Sequence, residues 1–90
     1  MGAEQYSVTM AICEDDVDTA ILQRLMEAGA EGIPPRDLAE DLSRYKLKQG
    51  DVTYRIQCMN RKLERKVGKR VAEKRGEKWV ITTFMRNLLG

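Results

Sequence analysis

Basic side chains are the residues of this chain whose number and placement point most directly to chemistry. Residues 44–90 carry fourteen lysines and arginines against four carboxylates, a formal charge of +10. Residues 1–43 carry ten carboxylates against two arginines, a formal charge of −8, so the net charge of +2 conceals a strong division. Such a division favours a basic surface that meets a polyanion. Two ordinary solvated surfaces, or two halves that attract each other, would give the same pattern.

Most catalytic and metal-binding chemistry is excluded by composition. The chain has no histidine. This excludes catalytic triads that contain histidine, general acid–base catalysis by histidine, and metal sites with histidine ligands. Its two cysteines, Cys13 and Cys58, are far apart in sequence and cannot complete a four-ligand zinc site. The acidic cluster of Asp15, Asp16 and Asp18 precedes a periodic apolar segment, where helix capping explains it. We therefore expect no enzyme activity, no metal and no cofactor.

Size and setting follow from the same counts. A chain of 90 residues forms a single domain over 1–90. Two isolated cysteines fit a reducing, cytoplasmic setting, and no apolar run reaches the roughly 20 residues that span a bilayer. Because so short a domain buries a limited core, we expect a homodimer formed through residues 5–28 or the tail 83–89.

Three amphipathic helices must position the basic side chains. Periodic apolar residues predict helices over about 16–28, 35–42 and 51–66. At 3.6 residues per turn, the third helix has the narrowest apolar stripe. That stripe consists of Val52, Ile56, Met59 and Leu63. Asp15 or Asp16 is a suitable N-cap for the first helix, and Asp51 is one for the third.

The connecting segments carry turn signals. Residues 43–50 are basic and aperiodic, which predicts a loop. Residues 70–82 predict a β-hairpin that turns at Gly76. Ile33, between a glycine and two prolines, is a candidate short strand that pairs with this hairpin. The tail over 83–90 predicts a short helix that caps the core, which itself spans about 16–82.

The N-terminal extension, residues 1–15, has two interpretations. Tyr6, Val8, Met10 and Ile12 alternate with polar or small residues, as in a strand. Tyr6, Met10 and Cys13 also fit the spacing of a helix, so the sequence leaves both structures open. In either case one side of residues 5–13 is apolar and needs a covering surface.

The order of these elements, together with four short segments, resembles the winged helix-turn-helix family. Residues 21–25 (ILQRL) are similar to the first helix of that family, and residues 33–42 (IPPRDLAEDL) to its second. Residues 52–59 (VTYRIQCM) resemble its third helix, and residues 78–82 (KWVIT) the second strand of its wing. The resemblance covers about 16–82. It implies an α+β, mainly α fold with a three-helix core and a C-terminal β-hairpin wing.

The function that this resemblance implies is duplex DNA binding, as a small transcriptional regulator. The third helix (about 51–66) would enter the major groove, and the wing (about 70–82) would contact the backbone. Carried onto this chain, the helix positions are Thr53, Tyr54, Gln57, Cys58 and Arg61. The wing positions are Lys74, Arg75 and Lys78. The connection over 43–50 is longer than the turn usual in the family.

General recognition chemistry supports the same residues without the resemblance. The Arg61 guanidinium can pair with guanine O6 and N7, and the Gln57 amide can pair with adenine N6 and N7. Further basic side chains suit phosphate oxygens, which supply affinity without reading sequence. These are Arg65 on the third helix, Lys74, Arg75 and Lys78 on the wing, and Lys46 and Lys48 in the loop.

Two other functions use the same basic face. A winged-helix docking module would bind an acidic protein partner, and an RNA-binding module would contact an RNA backbone. A steep salt dependence separates polyanion binding from ordinary protein docking, because phosphate neutralisation releases counterions. Competition between duplex DNA and duplex RNA separates the two nucleic acids.

Overall fold

Five helices and one hairpin make up the computed structural model, which describes residues 3–90 and the side chains from residue 7 onward. The helices are α1 (Ala3–Ile12), α2 (Asp16–Ala28), α3 (Pro35–Asp41), α4 (Gln49–Val67) and α5 (Thr83–Leu89). An antiparallel hairpin, β1 (Ala72–Arg75) and β2 (Lys78–Ile81), lies between α4 and α5. The expected α+β, mainly helical class is therefore confirmed.

The helix boundaries follow the capping residues. Asp15 caps α2, since its carboxylate accepts a hydrogen bond of 3.0 Å from the Asp18 backbone N–H. Helix α4 begins at Gln49, two residues before the predicted start, because the Asp51 carboxylate reaches back to the Lys48 N–H at 2.9 Å. It ends at Gly68, which adopts the left-handed conformation common at helix C-termini.

Ile33 extends the hairpin by a single bridge. Its N–H donates to the Trp79 carbonyl, and its carbonyl accepts from the Trp79 N–H, both at 2.9 Å. The candidate short strand at Ile33 is therefore confirmed as one bridged residue. Because Ile33 connects α2 to α3, this bridge attaches the hairpin to the first half of the chain.

Within the N-terminal extension, residues Ala3–Ile12 form a helix, which decides between the two interpretations of residues 5–13. Val8 and Ile12 of α1 are buried, whereas Met10 is 62% exposed on the opposite side. The side chain of Tyr6 lies outside the described residues. Met85 of α5 is also fully buried, so both α1 and α5 contribute side chains to the apolar core.

Helix α4 presents its apolar stripe to the centre of the molecule. Val52, Ile56, Met59 and Leu63 have no exposed surface and belong to one continuous cluster with residues of the other helices. This packing confirms the predicted periodicity. Because the stripe is narrow, the opposite side of α4 is left for solvent or for a ligand.

Candidate nucleic-acid interface

The exposed side of α4 carries four polar side chains in a row, here called the α4 stripe. Its members are Tyr54, Gln57, Arg61 and Arg65, all exposed. Tyr54 is 62% exposed although its ring is large and partly apolar. The stripe spans about 17 Å at 1.5 Å rise per residue. A helix with side chains of this length along one face has the dimensions that a DNA major groove accepts.

The other two residues predicted on this helix lie beside the stripe. Thr53 is half-buried, next to the fully buried Val52. Cys58 is also half-buried, and the Arg61 Nη2 lies 3.7 Å from its sulfur. Cys58 therefore touches a member of the stripe, whereas Thr53 is less accessible than the sequence predicted.

One flank of α4 is held by ion pairs to the junction between α1 and α2. Arg55 Nη1 donates to both carboxylate oxygens of Asp15, at 2.9 and 3.1 Å, and to Asp18 Oδ1 at 3.1 Å. Two helical turns further, Lys62 Nζ lies 2.6 Å from the Glu14 carboxylate. These ion pairs neutralise Arg55 and Lys62 within the protein, and they fix the rotation of α4 relative to α2.

Electrostatic conditions at this junction follow from the same contacts. The backbone N–H of Asp18 and the Arg55 guanidinium both bind the Asp15 carboxylate, which lowers the pKa of Asp15. The neighbouring Cys13 is half-buried, and burial raises the pKa of its thiol. The junction is thus a charged structural contact, in which the cluster of aspartates both caps α2 and receives Arg55.

The opposite flank of α4 is joined to the hairpin by Asn60. This side chain is buried, with 8% of its surface exposed. Its Oδ1 accepts from the N–H groups of Val71 at 2.7 Å and Ala72 at 3.1 Å. Its Nδ2 donates to the Ala72 carbonyl at 2.9 Å. Three hydrogen bonds from one side chain therefore connect the helix to Val71 and to Ala72, the first residue of β1.

The predicted wing residues divide between the two faces of the hairpin. Arg75 and Lys78 are exposed partners directly opposite each other across the strands. We call them the hairpin pair. Lys74 lies on the other face, where its Nζ is 5.3 Å from the ring centre of its cross-strand neighbour Trp79. The hairpin pair is thus accessible to a ligand, whereas Lys74 covers the indole ring.

The loop before α4 places Lys46 and Lys48 at the start of that helix. Both side chains are exposed. Lys46 adopts a left-handed backbone with φ of 57°, which ends a short turn over Ser43–Tyr45 and redirects the chain into α4. The loop is therefore structured, and its two lysines lie at the opposite end of α4 from Arg65.

Partnering separates the basic residues into two classes. Arg24, Arg36, Arg55, Lys62 and Arg70 have carboxylate partners within 4 Å. Within the described residues, no carboxylate pairs with the members of the second class. These are Arg44, Lys46, Lys48, Arg61, Arg65, Lys66, Lys69, Lys74, Arg75, Lys78 and Arg86. Ten of these eleven bases lie on α4, in the segment before it, or in the connection and hairpin after it, which is a surplus of positive charge suited to a polyanion.

Two contacts that position α4 are not predicted by the sequence patterns. Asn60 lies at the edge of the apolar stripe, where an amide indicates a polar partner inside the fold. Arg55 was not assigned to the Asp15 cluster, since no local spacing indicates a contact 40 residues away. Both are tertiary contacts that position α4.

Residues 3–90 were compared with the requirements of a metal site and of a membrane span. No group of three or more His, Cys, Asp or Glu side chains there could hold a metal ion. In the same part of the chain, no helix has the length and apolar character to cross a bilayer. Comparisons with protein-family models, curated proteins and solved structures gave no significant match to this chain.

Proposed function

We propose that this chain binds duplex DNA as a winged-helix transcriptional regulator, with α4 in the major groove and the hairpin as the wing. The observation that carries the proposal is the exposed α4 stripe, which has exposed bases at both ends: Lys46 and Lys48 before α4, and Lys66 and Lys69 after Arg65. A helix with basic residues at both ends can cross a groove while its ends contact the two phosphate backbones.

The roles of the residues follow from their chemistry and exposure. Arg61 has a forked donor set that fits guanine, and Gln57 has a donor and an acceptor that fit adenine. Each such pair contributes about 1–3 kcal/mol of discrimination against a wrong base. Arg75 and Lys78 act on phosphate oxygens and supply affinity that is independent of sequence.

A solvated surface with no ligand is a weaker explanation for the hairpin pair. Like charges directly opposite each other on neighbouring strands destabilise a hairpin. Glu73 is on the same strand face but lies opposite Val80 rather than either base. A phosphate bound between Arg75 and Lys78 would offset their repulsion, which gives the pair a function that hairpin stability does not provide.

Support for the winged-helix arrangement comes from the order and pairing of elements. Helix α2, the bridged residue Ile33, helices α3 and α4, and the hairpin occur in the order that the family resemblance implies. Pairing of Ile33 with Trp79 gives the sheet a third, single-residue strand next to β2. This arrangement leaves the turn of the hairpin free to extend toward a ligand.

The direct test is fluorescence anisotropy of a labelled mixed-sequence duplex of about 30 base pairs, titrated with protein across a salt series. We expect the logarithm of affinity to fall linearly with log salt, with a slope of about −0.9 per phosphate contact. After selection of a preferred sequence, Arg61→Ala should weaken that site more than random DNA. Arg75→Ala should weaken both about equally and reduce the slope by about one.

The control variant is Arg24→Ala, which removes the same charge from α2, where Arg24 pairs with Asp41 at 2.8 Å. It should leave DNA affinity nearly unchanged. Absence of binding at low salt would contradict the proposal and favour docking to an acidic protein. Equal competition by duplex RNA would contradict DNA specificity and favour an RNA ligand.

A further inference from the structure

We infer that Asn60 is a positioning residue, which sets the placement of the hairpin pair relative to the α4 stripe. The inference rests on the proposed function, because it assigns to one buried amide the alignment of two DNA-contacting parts. Asn60 itself is turned inward and is buried, so it has no access to DNA.

The geometry of the amide fixes both translation and tilt of β1. A single hydrogen bond would allow the strand to pivot about it. Asn60 makes three, to the Val71 N–H, the Ala72 N–H and the Ala72 carbonyl, with lengths between 2.7 and 3.1 Å. Donor and acceptor of one planar group therefore bind donor and acceptor of one strand residue, as a neighbouring strand would.

The covalent connection between α4 and β1 does not provide this restraint. Residues 68–70 are all exposed, and Gly68 has a left-handed backbone with open space around its Cα. The Arg70 guanidinium contacts Glu64 at 3.4 Å, but both side chains are about half exposed. Such a surface ion pair constrains geometry weakly. Asn60 is thus the buried polar contact that joins the two elements.

A second set of contacts holds the hairpin when the Asn60 contact is lost. The Ile33 bridge attaches β2 to the α2–α3 connection, and Trp79 and Ile81 are buried. The Thr82 N–H donates to the Val71 carbonyl at 3.0 Å. Removal of the Asn60 amide should therefore leave a folded hairpin that is displaced or mobile relative to α4, which is a change of position rather than of fold.

The consequence for binding is a selective loss. Arg75 and Lys78 can contact phosphate oxygens only where the hairpin holds them in place relative to α4 in the groove. If the hairpin is loosened, the contribution of the hairpin pair to affinity should fall, although neither residue has changed. The contribution of Arg61, which lies on α4, should be retained.

The first experiment measures hairpin placement without DNA. Backbone amide residual dipolar couplings would be recorded for the wild type, Asn60→Ala and the control Asn87→Ala, whose side chain is exposed on α5. We expect the couplings of β1 and β2 to depart from the wild-type orientation relative to α4 in Asn60→Ala alone. An unchanged orientation in a folded Asn60→Ala variant would overturn the inference, whatever the DNA result.

The second experiment is a double-mutant cycle on affinity for the preferred duplex. In the wild type, Arg75→Gln should weaken binding by about three- to tenfold. In the Asn60→Ala background it should weaken binding by less than about twofold, because the hairpin no longer presents Arg75 in place. Arg61→Gln should keep most of its effect in both backgrounds. Fully additive effects of Asn60→Ala and Arg75→Gln would show that Asn60 acts through stability alone.

If Asn60→Ala does not fold, Asn60→Asp replaces it in both experiments. That variant keeps an oxygen for the Val71 and Ala72 N–H groups and loses only the donor to the Ala72 carbonyl. Its charge is controlled by Asn87→Asp. Failure of the wild type to bind DNA would refute the proposed function, while the dipolar couplings would still decide whether Asn60 places the hairpin.

Discussion

Gly32→Ala is expected to destabilise the protein far more than its small change in size suggests. Gly32 ends the short turn Gly29–Glu31 with φ of 75° and ψ of 178°, a conformation that side chains avoid. A Cβ atom there would lie 2.7 Å from Val80 Cγ2 and 2.9 Å from the Trp79 carbonyl oxygen. That oxygen accepts a hydrogen bond from the Ile33 N–H. The added Cβ atom would therefore disturb the bridge between Ile33 and Trp79, which attaches the hairpin.

The magnitude follows from two separate costs. Holding a non-glycine residue in this backbone region costs about 1–3 kcal/mol. Displacing the Trp79 carbonyl weakens the two hydrogen bonds of the bridge, each worth about 0.5–1.5 kcal/mol. We therefore expect a loss of about 2–6 kcal/mol of unfolding free energy, a large part of the roughly 5–15 kcal/mol of a typical domain.

Gly29→Ala is the matched control. Gly29 also has a positive φ, of 60°, but a Cβ there would meet no atom within 4 Å. Both variants lose the same flexibility in the unfolded chain, so that contribution cancels in the comparison. The difference in unfolding free energy between the two then measures the collision with β2.

Urea denaturation followed by the fluorescence of Trp79, the single tryptophan, provides the assay. Trp79 is buried, with 6% of its surface exposed, so unfolding changes its environment strongly. Gly32→Ala should lose at least about 1 kcal/mol more than Gly29→Ala, the lower limit of the bridge cost. If both variants lose the same unfolding free energy, the collision argument is refuted. Val80 and β2 would then shift to accommodate the Cβ atom without a loss of stability.

Three further outcomes are expected. Contacts with the Asp18 N–H and Arg55 lower the pKa of Asp15. The stability that these contacts provide at neutral pH should therefore be lost as the pH falls below about 4. The melting temperature should drop less on acidification in Asp15→Asn than in the wild type. Burial raises the pKa of Cys13, so mass spectrometry should find it alkylated more slowly than Cys58, with duplex DNA protecting Cys58 alone. The homodimer predicted through residues 5–28 or 83–89 is tested by sedimentation equilibrium, where exposed Met10→Lys should give a monomer and a monomeric wild type would contradict the prediction.

Local patterns predicted the elements that carry their own signals. Helices α2, α3 and α4 occur where apolar periodicity and capping residues place them, because each buries a single stripe. The turn at Gly76 and the bridge at Ile33 follow from backbone preferences that a few residues encode. Helix α1 was not distinguished from a strand, because one set of apolar residues in 5–13 fits the strand period and an overlapping set fits the helix period when the surface they pack against is unknown.

The candidate site was less predictable than the fold. Exposure of the α4 stripe follows from periodicity, since it lies opposite the buried residues. The separation of Lys74 from Arg75 and Lys78 depends on hairpin register, and Lys74 lies over Trp79 because that register makes them neighbours. The role of Asn60 depends on the distance between α4 and β1, which no local pattern contains. Sequence patterns therefore indicate which side chains are exposed, but not which are already engaged.

Internal pairing explains why the divided charge of the sequence becomes a one-sided surface. Carboxylates of the first half neutralise bases on only one flank of α4, where Glu14 binds Lys62 and Asp15 binds Arg55. Arg61 and Arg65 lie on the side of α4 opposite its buried stripe and have no carboxylate partner in the described part of the chain. The carboxylates of the first half therefore set the rotation of α4, and this rotation determines which bases of α4 remain exposed and unpaired for a ligand. Reversing the Lys62 pair with Lys62→Glu and Glu14→Lys would preserve both net charge and rotation, so it should preserve DNA affinity, whereas Lys62→Glu alone should reduce it.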